Sequence, residues 1–161
     1  MSQFIIDESL VIGPFRAKDN TEAITYVAQH LVRLGHVKSS YPHAVIAREQ
    51  EFPTGLSTGE IGVAIPHCDS EHVIEPAVAV AILDAPVQFR AMDDNRNTVS
   101  VDIILMLAIK DPSTQIDILR RVSGLVQSPA ILKSLKMASS HTDIIKILRS
   151  VFQVPETKES V

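Results

Sequence analysis

The chain has 161 residues, 45% of them apolar, and a formal net charge of −4 at pH 7. That length supports one sizeable core, and the interspersed charges build no basic field for nucleic acid or anionic lipid, so the expected partners are proteins or small molecules. One cysteine excludes an internal disulfide, 4% aromatic residues without tryptophan leave little for stacking platforms, and no apolar run reaches membrane-spanning length. The first residues show no charged stretch followed by an apolar one, so we expect a soluble cytoplasmic protein with no direct membrane insertion.

Two apolar clusters come first, Phe4-Ile5-Ile6 and Leu10-Val11-Ile12, the second closed by Gly13-Pro14; both read as short strands or loop anchors. Ile24, Val27, Ala28, Leu31 and Val32 then recur at helical spacing and predict an amphipathic helix over 20–34. Asp19 and Glu22 fit a capping box at its start, and Gly35 stands at the left-handed position after its end. A second helix is predicted from Tyr41, with Pro42 in its first turn and Arg48, Glu49 and Glu51 near its end. Residues 52–59 are dense in turn formers and small hydroxyls and read as a surface loop.

That loop leads into Gly62-Val63-Ala64-Ile65-Pro66-His67-Cys68-Asp69, a short buried strand that stops at a proline and presents His67 on a rigid support. On these residues alone His67 is either a centre of chemistry or the ordinary start of a loop. The apolar run 77–83 reads as a central strand covered on both faces, Val87-Gln88-Phe89 as a short edge or hairpin strand, 93–97 as a polar turn and 99–109 as the longest strand. Asp111-Pro112-Ser113 opens a helix whose Ile116, Ile118, Leu119, Val122, Leu125 and Val126 are spaced for one buried face. A short helix from Ser128-Pro129 to about Met137 and a last one capped by Ser140 follow, and 155–161 is expected to be a disordered tail. Strands mixed with covering helices predict an α/β fold, a single-domain sandwich of a mixed sheet covered by helices, over residues 1–154. Strand order does not follow from the residues.

Several chemistries are weakened by spacing. Adjacent residues on an extended chain face opposite ways, so Cys68 and His67 do not form a nucleophile pair. His67, Cys68 and His72 lack zinc-ligand spacing, and Gly55, Gly59 and Gly62 form no phosphate-binding loop, so no metal and no cofactor is expected. A histidine with a hydroxyl-bearing loop before it and Arg48 upstream suits an anion. A neutral imidazole attacks phosphorus, and the phosphoramidate that results needs cationic or N–H donors at its oxygens. Arg48 fits that need as a bidentate donor, or is simply a helix-terminal arginine favoured by the macrodipole. No comparable set surrounds His30, His36, His43 or His141.

The motifs Ala47-Arg48-Glu49, Pro53-Thr54-Gly55-Leu56, Val63-Ala64-Ile65-Pro66-His67 and Leu105 to Ala108 before a helix near Ser113 carry a resemblance over nearly the whole chain. It resembles the type-2 enzyme IIA of the bacterial phosphoenolpyruvate-dependent sugar phosphotransferase system, the fructose/mannitol family. The forms Arg-Glu-x-Glu-Phe-Pro-Thr-Gly and Ile-Pro-His-Cys are more similar to the galactitol branch than to the mannitol or nitrogen-regulatory branches. The resemblance implies a phosphotransferase component in which His67 accepts a phosphoryl group from the phosphohistidine of the carrier protein HPr. His67 then passes it to a cysteine of enzyme IIB, with the membrane enzyme IIC involved indirectly, for uptake of a sugar or hexitol such as galactitol. It further implies Arg48 as phosphoryl-stabilising donor, Thr54 and Gln115 as secondary donors, and Glu49 in support. Gln115 stands where the mannitol-like branch often has a second histidine; an amide donates to a phosphoryl oxygen but carries no charge. Two other readings remain: a regulatory, nitrogen-type IIA protein whose phosphorylation state controls protein binding, and an unrelated hydrolase or metal protein using His67 and Cys68.

Overall fold

The computed structural model describes residues 7–152, so the expectations for Phe4-Ile5-Ile6 and for the 155–161 tail lie outside the described residues. A five-stranded sheet forms the middle layer. In spatial order its strands are β1 (Val11–Phe15), β4 (Ala77–Arg90), β5 (Thr98–Ala108), β3 (Gly62–Ala64) and β2 (Gly55–Leu56). β1 runs parallel to β4 and β3 parallel to β5, while the β4–β5 and β2–β3 pairs are antiparallel. The α/β sandwich with a mixed sheet expected from the sequence is the fold that forms.

Side chains alternate along the two long strands, so each strand feeds both faces. Ala79, Ala81 and Leu83 of β4, with Ile104 and Met106 of β5, pack under α1 (Asn20–Arg33) and α2 (Tyr41–Glu51). Val78, Val80 and Ile82, with Ile103, Leu105 and Leu107, pack under α3 (Pro112–Val126), α4 (Pro129–Met137) and α5 (His141–Phe152). Coverage on both sides is why these strands read as apolar runs. Burial of each such Ile, Leu or Val contributes roughly 1.5–3 kcal/mol.

The helix ends follow their local signals. Asp19 accepts from the Glu22 N–H at 2.9 Å and Glu22 from the Lys18 N–H at 2.6 Å, while Gly35 takes φ +83° just past α1. Asp111 accepts from the Ser113 N–H at 3.1 Å, and Ser140 Oγ from the Asp143 N–H at 3.1 Å.

Five expectations need correction. The runs 77–83 and 87–89 are one strand of 14 residues, which makes β4 and not the 11-residue β5 the longest, because a register shift between Ile82 and Val87 absorbs the intervening Leu83 to Pro86. Lys136 pins that irregularity, donating to Leu83 O at 2.5 Å and pairing with Asp102 at 3.4 Å. Gly13-Pro14 lies inside β1 instead of closing it, which an edge strand tolerates since one side of its backbone has no partner to lose. The 52–59 loop contains β2. Ile116, placed on the buried face of its helix by periodicity, is 63% exposed.

Candidate functional site

Because β3 and β5 are parallel, their carboxyl ends lie side by side, the usual place for a site in an α/β sheet. Close approach is built into the pair: a Cβ at Gly62 would sit 2.0 Å from Ser100 O, so only glycine fits. Past Ala64 the pairing continues through one more bond, from the Leu107 N–H to Pro66 O at 3.1 Å. The Leu107 carbonyl in turn accepts from the buried Tyr41 hydroxyl at 2.7 Å, tying the start of α2 to the same point. His67 is the next residue after this anchored proline, and it is half-buried.

The His67 ring is fixed by its own backbone. Nδ1 lies 2.8 Å from Ile65 O; a carbonyl oxygen only accepts, so Nδ1 carries the proton and the neutral ring keeps its lone pair on Nε2. Ile65 is itself held from the other side. Its N–H donates to Thr54 Oγ1 at 3.1 Å, and the Thr54 hydroxyl and N–H donate to the two carboxylate oxygens of Glu49, each at 2.9 Å. Glu49 and Thr54 are 4% and 3% exposed. Burial pushes the Glu49 carboxyl up to about 7 against the opposing effect of the two Thr54 hydrogen bonds.

The other side of the ring is open. A cavity of about 530 Å³ is bounded by Arg48, Phe52, Thr54 and His67 together with Met92 to Asn95. The β4–β5 turn reaches it because the Met92 N–H donates to Gly55 O at 2.8 Å. A second cavity of about 380 Å³ joins Arg48, His67 and Asp69 to Lys110 and Gln115 at the start of α3. Arg48, in the last turn of α2, borders both; its Nη2 donates to Asp69 Oδ1 at 2.5 Å and its guanidinium lies 6.0 Å from the centre of the Phe52 ring. Phe52 and Met92 are exposed apolar residues at the first cavity, beside Glu51, Asp93 and Asp94, while Glu71 and Asp111 border the second.

All five residues singled out by sequence therefore line or support one place: His67, Arg48, Gln115, Glu49 and Thr54. Thr54 borders the cavity, but its hydroxyl is engaged by Glu49 and Ile65, so a role as donor to phosphoryl oxygens gives way to one as a buried link. Asp69 and Lys110 were not anticipated. Lys110 donates to Val73 O at 2.8 Å and holds down the segment after His67. The signal for Asp69 was its position two residues past His67, but nothing local told that it would meet an arginine 21 residues earlier.

The remaining histidines lie outside the site. His30 contacts Arg33 and His141 contacts Gly13 O; His72 contacts Ser40 and Glu71; His36 is in the core and His43 is exposed away from both cavities. His67, Cys68 and His72 do not converge, and among the described residues no three His, Cys, Asp or Glu side chains are grouped to hold a metal ion. The Cys68 thiol packs with the core beneath α1 and α2, where burial and then the Asp69 carboxylate push it up to about 12. No helix among the described residues is long and apolar enough to cross a membrane.

A family profile described as the phosphoenolpyruvate-dependent sugar phosphotransferase system, EIIA 2, matches residues 4–151. The chain belongs to this family. Among EIIA relatives, the galactitol-specific EIIA component of Escherichia coli is 34% identical over 117 residues, 73% of this chain and 77% of that protein. A nitrogen regulatory protein of Pseudomonas aeruginosa is 29% identical over 109 residues, 66% of each. The EIIA fold is also that of the complex of enzyme IIA and phosphorylated enzyme IIB for mannitol from Escherichia coli, with a TM-score of 0.76 at 18% identity over 92% of this chain and 99% of that one.

Proposed function

We propose that this EIIA protein is a phosphoryl carrier that loads His67 from phosphorylated HPr and discharges it to a cysteine of enzyme IIB, in the service of galactitol or a similar hexitol. The observation that carries the reading is the His67 Nδ1 to Ile65 O bond at 2.8 Å, which leaves Nε2 as the nucleophile beside Arg48. In loading, the Nε2 lone pair forms an N–P bond as the donor's N–P bond breaks, and that electron pair returns to the donor imidazole. In discharge, the thiolate of enzyme IIB forms an S–P bond and the Nε2–P pair returns to Nε2. Nδ1 keeps its proton throughout. Donor and acceptor are both side chains of docked proteins, so positioning and charge stabilisation carry the catalysis.

Arg48 supplies the positive charge that meets the transferring phosphoryl group, and the exposed amide of Gln115 is placed across the second cavity as a neutral donor. Glu49 and Thr54 act on the ring orientation through Ile65. The exposed apolar Phe52 and Met92 at the first cavity give partners a surface to dock on, while Val63 and Ile65 are buried in the core. Relay partners must leave quickly, so each interface is expected to stay below about 1,200 Å². The similarity to a galactitol-specific EIIA supports the substrate, and that to an enzyme IIA solved with its IIB supports the acceptor.

The test is labelling with phosphoenolpyruvate, enzyme I and HPr, followed by mixing with a panel of enzyme IIB proteins. Wild type is expected to take up an acid-labile phosphoryl group and discharge it to the galactitol-type IIB, and His67→Ala to take up none. Label persisting in His67→Ala removes His67 from the role. Normal loading with discharge to no IIB favours the regulatory reading, which the resemblance to a nitrogen regulatory protein keeps in view.

A further inference from the structure

We propose that Asp69 tunes the relay: its carboxylate occupies Arg48 while His67 is empty and yields the guanidinium to the phosphoryl group when Nε2 is loaded. The inference rests on the reading of His67 as the carrier. Arg48 and Asp69 approach to 2.5 Å across the cavity that His67 also lines, so the cation needed by the phosphoryl group is already paired with an anion. The pair joins two separate segments, the last turn of α2 and the chain just past His67.

Among the described residues the Asp69 side chain makes no hydrogen bond besides the one to Arg48, its backbone carbonyl alone accepting from the His72 N–H at 3.3 Å and the Cys68 thiol at 3.8 Å. It precedes the short 3-10 turn Ser70–His72 at the position where aspartate ordinarily caps with its side chain, yet it makes no such cap. Its side chain is 70% exposed, so release returns it to water at little cost. Arg48, 30% exposed and lying against Phe52, keeps a resting place while its oxygen partner changes. A phosphoryl group brings roughly two negative charges and three acceptor oxygens, which outcompete one carboxylate for the guanidinium fork.

The consequence is a difference between the two states. The empty state contains the Arg48–Asp69 pair; the loaded state contains Arg48 on the phosphoryl group and a released carboxylate close to a like charge. The carboxylate thereby makes His67 a weaker sink and a better donor. When the Nε2–P bond breaks and its electron pair returns to Nε2, Arg48 returns to Asp69.

The experiment mixes phosphorylated HPr with wild type, Asp69→Asn and Asp69→Glu, and reads the equilibrium distribution of the phosphoryl group between the two proteins by ³¹P NMR. Asp69→Asn is expected to shift the distribution toward this chain by about two- to fivefold, the size an exposed ion pair allows, and Asp69→Glu to restore most of the wild-type value. In an Arg48→Ala background the same Asp69→Asn substitution should shift it less. An unchanged distribution in Asp69→Asn, with wild type loading normally, overturns the inference and leaves the carrier reading intact. An equal shift in both backgrounds also overturns it, by assigning the effect to plain repulsion without Arg48. Failure of wild type to load at all removes the carrier reading and this inference with it.

Discussion

The two nitrogens of His67 face opposite kinds of environment. Around Nδ1 the hydrogen bonds run inward through Ile65 and Thr54 to a carboxylate that is 4% exposed. Around Nε2 the counterpart is an ion pair whose carboxylate side chain is 70% exposed. A buried polar link is costly to break because each partner left behind stays unsatisfied, whereas an exposed pair exchanges its members at small cost. The first arrangement suits a function that must not change during turnover, the ring's orientation and tautomer. The second suits one that, under the proposed relay, changes each time, the partner of Arg48.

The comparison can be broken first on the exposed side. Arg48→Ala removes the cation proposed to meet the transferring phosphoryl group, and on that proposal the transfer rate from HPr is expected to fall about a hundredfold or more. Thermal stability should hardly move, because the lost ion pair is exposed. Arg48→Lys should recover only part of the rate, since an ammonium lacks the guanidinium fork. Near-normal transfer by Arg48→Ala in stopped-flow or quench measurements would make the arginine structural.

On the buried side, Thr54→Val keeps the shape and deletes the hydroxyl, leaving the Ile65 N–H and one Glu49 oxygen without their partner. Transfer is expected to slow on the order of tenfold, the usual scale for loss of a group that orients a reactive imidazole, with stability down by about 1–3 kcal/mol. Thr54→Ser should restore the rate. Nitrogen-15 NMR of the His67 ring gives a readout that a general loss of stability would not: the protonated Nδ1 of wild type should become a mixture of tautomers in Thr54→Val.

A smaller effect sharpens the same comparison through pH. The folded chain holds the Glu49 proton up to about pH 7, while an unfolded chain releases it in the ordinary glutamate range near 4.3. Between those values the folded state binds more protons, so the contribution is fully present below the unfolded value and is lost as pH rises through the folded one. Melting temperature should therefore decline from pH 5 to pH 8, and Glu49→Gln should flatten that decline. An identical pH profile for the two proteins would place the Glu49 carboxyl in the ordinary range.

Features that depend on neighbours in sequence were the readable ones. The caps at Asp19 and Asp111, the glycine after α1 and the proline that ends the strand before His67 all act within a few residues. Strand order was not readable, because pairing β3 with β5 joins Ala64 to Ile104 across a gap that no local pattern spans. Periodicity also misplaced Ile116, since it marks which side of a helix is apolar without telling how far the helix projects beyond the sheet. At the site, His67 and Arg48 were legible from motifs as candidates, and the fold places both at the same cavities. The inward turn of the Thr54 hydroxyl and the pairing of Asp69 with Arg48 were not, because both depend on distances that only the folded chain creates.

The burial of Cys68 has a consequence for a chain of this kind. Under the proposed relay to a partner's cysteine, this chain carries a cysteine of its own directly after His67, and a thiolate there would be an internal acceptor. Burial and the Asp69 carboxylate push the thiol up to about 12, which disfavours the nucleophilic thiolate at neutral pH, and Cys68 packs with the core beneath α1 and α2. Under that proposal the same packing that supports the strand disfavours self-discharge to Cys68 and leaves the transfer to a sulfur arriving on a docked partner.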